Sequence, residues 1–227
     1  TTLIMLNFIL SLFIGTNLWY GAILGSTGQG GDRDRLNQEL DTLHALGMNN
    51  LRVLVGAEGA EGFATKISPT LLLAPGVYND TLLDGLDYLL AQLDKRGMQA
   101  VLYLNNAWEW SGGYEQYHSW ATGCPTMIPA EVGYPIYMQT AGRFLINDSA
   151  VALFDGHVRY ILTRTNRYTQ RRYIDEPAIY AWEIANEPRA FGEENKRAFV
   201  AWIKHEAQLF KSIDSTHLLT TGSEGIW

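Results

Sequence analysis

Five short apolar runs, each leading into a polar or aromatic group, alternate along this chain with stretches of helical periodicity. The runs are Phe8 to Asn17, Asn50 to Val55, Gln99 to Leu104, Ala178 to Ile184 and His217 to Thr221, lengths suited to buried strands. Between them the pattern predicts helices over Asp32 to Leu46, Thr81 to Arg96, Phe144 to Thr165 and Glu193 to Ile213. Leu36, Leu40, Leu43 and Leu46 recur at helical spacing in the first, and Gly47 and Gly97 stop the first two. Strand followed by helix, repeated without linker or low-complexity segment, implies parallel strands with helical crossovers.

A doubly wound sheet and a barrel both satisfy that pattern. The doubly wound form concentrates its site at one switch point. Here chemistry-bearing groups follow every strand: Asn17-Leu18-Trp19, Glu58, Asn105-Asn106-Ala107-Trp108, Asn186-Glu187 and Ser223-Glu224. That favours a (β/α)8 TIM barrel. Such a barrel takes about 250 residues, so the 227 present are expected to supply about the first five β/α units as a single domain. The longest connection, Asn105 to about Pro135, holds Trp108, Trp110, Tyr114, Tyr117 and Trp120 and is read as a functional loop.

Several functions are excluded by inventory. A net charge of −7 with no Lys/Arg cluster argues against nucleic acid. Cys124, the single cysteine, leaves no intrachain disulfide and no cysteine-based zinc site. His44, His118, His157, His205 and His217 show no ligand spacing, so no metal is expected, and no cofactor motif is present. The glycines from Gly21 to Gly31 fit neither nucleotide-binding pattern and read as a closely packed turn. Ser223 lies in TGSEG, not a nucleophile elbow. Leu3 to Ile14 is apolar but too short to span a bilayer. It lacks a basic start and a cleavage site, and is read as a buried first strand in preference to a leader remnant. Asn79 and Asn147 head glycosylation sequons.

The segment Tyr180 to Arg189, YAWEIANEPR, concentrates the chemistry. Its apolar start ends in Asn186-Glu187-Pro188, where proline stops the ladder and favours an extended glutamate. At the C-terminal end of a barrel strand, beside Trp182, that carboxyl is placed for general acid–base work. Arg52 lies inside the apolar strand LRVLV, and a buried guanidinium must be paired. Seven Trp and twelve Tyr offer flat faces suited to stacking on sugars.

AWEIANEPR resembles the acid/base strand of the family-5 glycoside hydrolases. GTNLWYGAILG, NNLRVLVGAEG, LNNAWEWSGGYEQY and HLLTTGSEG, with the trailing Arg189, resemble that family's endo-β-mannanases from Gly15 to Trp227. The resemblance implies retaining endo-hydrolysis of β-1,4-mannosidic bonds in mannan or glucomannan by two carboxylates. It gives Glu187 the acid/base role and sets Asn186 against the sugar 2-hydroxyl. Arg52 would keep the nucleophilic carboxylate ionised, with a structural ion pair as the alternative. Trp108 would stack on sugar, and Arg189, Glu224 and Trp19 would contact substrate; Trp110, Trp120 and Trp202 are assigned to packing. The nucleophile is expected beyond Trp227, which makes the chain by itself C-terminally truncated and inactive. Residues 1–14 depart from the family's polar hairpin. A monomer without cofactor, secreted or periplasmic, is expected. A β-1,4-glucanase of the same family and a non-catalytic mannan-binding protein are the alternatives.

Overall fold

The computed structural model describes residues 13–60 and 62–225. In chain order its strands are β1 (Gly15–Asn17), β2 (Asn50–Leu54), β3 (Leu72–Ala74), β4 (Val77–Tyr78), β5 (Gln99–Tyr103), β6 (Ile179–Glu183) and β7 (Leu218–Thr220). The helices are α1 (Gly21–Leu24), α2 (Arg33–Ala45), α3 (Asp80–Lys95), α4 (Gly113–Thr122), α5 (Pro129–Val132), α6 (Tyr134–Ala141), α7 (Asp148–Leu162) and α8 (Lys196–Ile213).

Five strands form one parallel sheet in the order β1-β2-β5-β6-β7. Spatial order follows chain order with no reversal, so the sheet has no switch point and curls as one arc of a (β/α)8 TIM barrel. β1 and β7 are its edges among the described residues. The register is regular across β2 and β5, from Asn50 opposite Gln99 to Leu54 opposite Tyr103.

Three of the long helices, α2, α3 and α7, begin where the sequence supplies a side-chain cap. Asp32 accepts the Arg35 N–H at 2.9 Å to open α2, and Leu36 and Leu40 turn fully inward from it. Asn79 caps α3 through the Thr81 N–H at 3.1 Å, and Asn147 caps α7 through Ala150 at 3.1 Å. Both sequon asparagines are thus helix caps. Asp87, fully buried on α3, accepts two bonds from Arg164, at 3.0 and 2.6 Å, and one from the Tyr173 hydroxyl at 2.6 Å. This pins the connection after α7 to α3.

The structure corrects several expectations. The region from Asn105 to Pro135 is largely helical, with a 3-10 turn at Glu109–Ser111 ahead of α4, and Tyr114 and Tyr117 are fully buried. The two tyrosines stack into a core layer with Phe144, Phe154 and Trp202. Trp202 is core, and Trp110 and Trp120 pack against it. The connection after β2 holds the β3–β4 hairpin. Gly21 to Leu24 is helical, so the glycine-rich turn begins at Gly25. The first strand is limited to Gly15–Asn17, with Phe13 and Ile14 exposed before it; its proposed start at Phe8 lies outside the described residues. Among the described residues no helix is long and apolar enough to cross a membrane.

Candidate active site

Past the ends of β5 and β6 the two chains remain tied. The Asn186 N–H reaches the Asn105 carbonyl at 2.8 Å, and the Ala107 N–H reaches the Asn186 carbonyl at 3.1 Å. These bonds carry the ladder into the strand mouth, where the polar side chains converge. Asn106 Oδ1 accepts from the Trp108 N–H and from Asn186 Nδ2, each at 3.1 Å. Asn106 Nδ2 donates to Ser111 Oγ at 2.9 Å. The Trp108 backbone and the Asn186 amide are therefore set by one buried asparagine.

Glu187 does not adopt the extended geometry expected before proline. Its φ is +50°, left-handed and unusual for a side chain of this size. The conformation is held because its N–H donates to the Gly222 carbonyl at 3.1 Å. Gly222, at φ +81°, has no room for a side chain, since a Cβ there would lie 1.9 Å from the Ala185 carbonyl oxygen. Backbone strain of this kind costs about 1–3 kcal/mol and persists where surroundings over-determine it. Trp182 is not the neighbour of Glu187. Its indole N–H turns to the outer side and donates to Asp214 at 2.7 Å. The partner is Trp108, whose Nε1 donates to Glu187 Oε2 at 2.5 Å.

Trp108 is half-buried in an aromatic nest, 6.3 Å from Tyr137 in a stacked arrangement and 5.3 Å from Phe191 edge-on. The Arg189 guanidinium lies 5.3 Å over its ring. Arg189 and Glu224, both named as substrate contacts, are paired with each other, with Arg189 Nε donating to Glu224 Oε2 at 2.6 Å. Trp19 is exposed, edge-on to Trp110 at 6.4 Å.

Arg52 projects onto the inner face of the sheet, where Asn17, Arg52, Val101, Glu183 and Thr220 line a cavity of about 350 Å³. Its carboxylate partner among the described residues is Glu183. Nε donates at 3.0 Å, and Nη2 makes a second, very short bond. Nη2 also donates to Asn186 Oδ1 at 2.9 Å, and the guanidinium lies 4.2 Å over the Tyr103 ring. Burial works against the Arg52 charge, but the hydrogen bonds and charge of Glu183 outweigh it and push its pKa up. The amide of Asn186 thus spans Arg52 and Asn106. Sequence reasoning passed over Glu183, although the criterion that singled out Arg52, a charge inside an apolar strand, applies to it equally.

Glu58, one residue group expected at a strand end, lies beneath this layer and is fully buried. It accepts the Gly113 N–H at 2.9 Å and the Tyr117 hydroxyl at 3.4 Å. Burial pushes its carboxyl up to about 8, against the opposing pull of the Gly113 N–H and the Lys66 charge. It props the start of α4, and its own N–H donates to the Ser111 carbonyl at 2.7 Å.

A parallel barrel arc with a carboxyl, two amides and stacked aromatics at its C-terminal mouth holds its polar groups where barrel enzymes carry their sites. A family profile described as GH family 5 beta-mannosidase-like matches residues 6–227, and the chain belongs to that family. Mannan endo-1,4-beta-mannosidase 4 of Oryza sativa subsp. japonica is 32% identical over 183 residues, which is 81% of this chain and 36% of the relative. The protein of the same name from Solanum lycopersicum is 34% identical over 160 residues, 70% of this chain and 38% of the relative. Among solved structures, a glycoside hydrolase family 5 mannosidase from Rhizomucor miehei, in complex with mannosyl-fructose, superposes with a TM-score of 0.88 at 34% identity. The match covers 95% of this chain and 52% of that one. The chain spans about half the length of its solved relatives and 36–38% of these curated ones.

Proposed function

We propose that this chain carries the acid/base side of a retaining endo-β-1,4-mannanase site, with Glu187 as general acid/base. The observation that carries the reading is the bond between Trp108 Nε1 and Glu187 Oε2 at the strand mouth, with the Glu187 backbone locked by Gly222. It leaves the carboxyl fixed in direction, as proton delivery to a glycosidic oxygen requires. Asn186, held through Arg52 and Asn106, is set to meet the 2-hydroxyl of the sugar at the cleavage point. Trp108 supplies the stacking face, and Arg189, Glu224 and Trp19 border the path of the polymer.

Retention needs a second carboxyl about 5–5.5 Å from the first. Glu183 pairs with Arg52 and Glu224 with Arg189, and the nucleophile is assigned to neither. A polymeric substrate places the activity outside the cytoplasm, in a secreted or periplasmic monomer. The test is reducing-sugar release from β-1,4-mannan. In a chain that also carries the second carboxyl, Glu187→Gln is expected to lower kcat by at least about 10²-fold, the usual scale of general acid–base catalysis, while manno-oligosaccharide binding survives. Near-wild-type turnover by the variant overturns the assignment.

A further inference from the structure

Helices α7 and α8 pack side by side on the outer layer, and one cluster between them has no part in the strand mouth. Asp155 projects from α7, and His205 and Glu206 project from α8. His205 Nε2 lies 3.0 and 2.9 Å from the two Asp155 carboxylate oxygens. Glu206 is fully buried, and neither of its carboxylate oxygens makes a hydrogen bond of ordinary length and angle, although the Trp202 indole N–H and the Asp155 carboxyl lie near enough to act on it. One donor atom from each of the three residues lies within 4.8 Å of the others. The Glu206 carboxyl is thus within reach of the Asp155–His205 pair.

We propose that Asp155, His205 and Glu206 bind one divalent first-row transition cation of the Zn²⁺ type. A buried carboxylate without hydrogen bonds is costly, and a second carboxylate beside it raises that cost. A dication over two carboxylates and a neutral imidazole makes the group neutral. A tetrahedral centre with bonds of about 2.0–2.2 Å sets its ligand atoms roughly 3.3–3.6 Å apart, so the observed spacings need only small side-chain adjustment. One imidazole nitrogen with two carboxylates suits Zn²⁺, Co²⁺ or Mn²⁺ better than Ca²⁺ or Mg²⁺, which take oxygen ligands. Access is open, because His205 is about half exposed beside a cavity of about 430 Å³ that Asp148, Val151 and Trp202 also line. The ligands come from two helices, which explains why no histidine spacing in the sequence announced them. A bound ion would clip α7 to α8.

The experiment titrates chelator-treated protein with Co²⁺ and Zn²⁺. Expected are visible ligand-field absorption with Co²⁺, one site per chain by calorimetry, displacement of Co²⁺ by Zn²⁺, and a rise in Tm on metal addition. His205→Ala and Glu206→Gln should each weaken binding by at least about tenfold, since even outer-shell partners of a metal ligand are worth that much. His205 is at the surface, so its variant carries the test even if Glu206→Gln fails to fold. None of these readouts depends on hydrolysis or on the Glu187 assignment. No saturable binding, binding that His205→Ala leaves intact, or a preference for Ca²⁺ over Zn²⁺ each overturns the proposal. The first result would mean that a proton shared with Asp155 is what holds Glu206.

Discussion

Glu187 is fixed at both ends, its backbone by Gly222 and its carboxylate by Trp108. The two restraints separate experimentally. Trp108→Phe keeps a ring against Tyr137 and Phe191 but deletes the indole N–H. An ordinary hydrogen bond is worth about 0.5–1.5 kcal/mol, so mannan turnover in a chain that also carries the second carboxyl is expected to fall several-fold while thermal stability changes little. Steady-state kinetics beside calorimetry checks this; unchanged kcat would show that the bond does not serve the reaction. The residues of this cluster were partly legible in the sequence. Asn186, Glu187 and Trp108 stood out as polar or aromatic groups at strand ends, and the family resemblance gave them their roles. The left-handed Glu187 was not, because the rule for residues preceding proline describes the local chain alone, and here a bond from the neighbouring strand overrides it.

Among the elements, α3 holds the connection after α7 through a single buried carboxylate. The buried Asp87 carboxylate serves Arg164 and Tyr173 together. Removing one member of such a pair leaves the other charge uncompensated, so Asp87→Ala should destabilise by about 3–5 kcal/mol in urea unfolding. A loss under about 1 kcal/mol would contradict that account. At the start of α4, Gly113 sits at φ +59°, and a Cβ would lie 2.2 Å from the Asn106 carbonyl oxygen. Gly113→Ala is therefore expected to cost at least about 1–3 kcal/mol and to disturb Asn106, lowering turnover as well as Tm. The strand–helix alternation was readable because apolar runs and glycine stops are local signals. The elements between Asn105 and Pro135 were not. α4, GYEQYHSWAT, mixes aromatic and polar residues, and its burial is decided by α6 and α7 packing over it and by Trp202 against Tyr114. The β3–β4 hairpin is too short for period-two alternation to register.

For the molecule as a whole, buried acids set the response to pH. Glu58 is pushed up to about 8 by burial, so the folded state holds a proton that the unfolded chain releases near its ordinary value of about 4.3. A raised carboxyl favours folding fully below that lower value, and its contribution is lost as pH climbs toward the folded one. Stability relative to Glu58→Gln is thus expected to fall between about pH 4.5 and 8, by an amount on the order of a few kcal/mol. Denaturant titrations of both proteins across that range test it, and parallel curves would refute it. His157 works in the opposite sense. Burial lowers it to about 4, so its contribution is present above the unfolded value of about 6.5 and drains away as pH drops below that. The sequence could not reveal either shift, since Glu58 and His157 are buried only once α4 and α7 close over the sheet.

The self-matched arginines of the strand mouth have one more consequence. Arg52 is committed to Glu183 and Arg189 to Glu224, so neither cation stands ready to receive an anion, and the chain as a whole carries −7. A polyuronate such as pectate or alginate would meet repulsion without a compensating ion pair. On the proposed reading, this mutual neutralisation favours uncharged glycans, and affinity electrophoresis in mannan and alginate gels should show retardation in the first and none in the second.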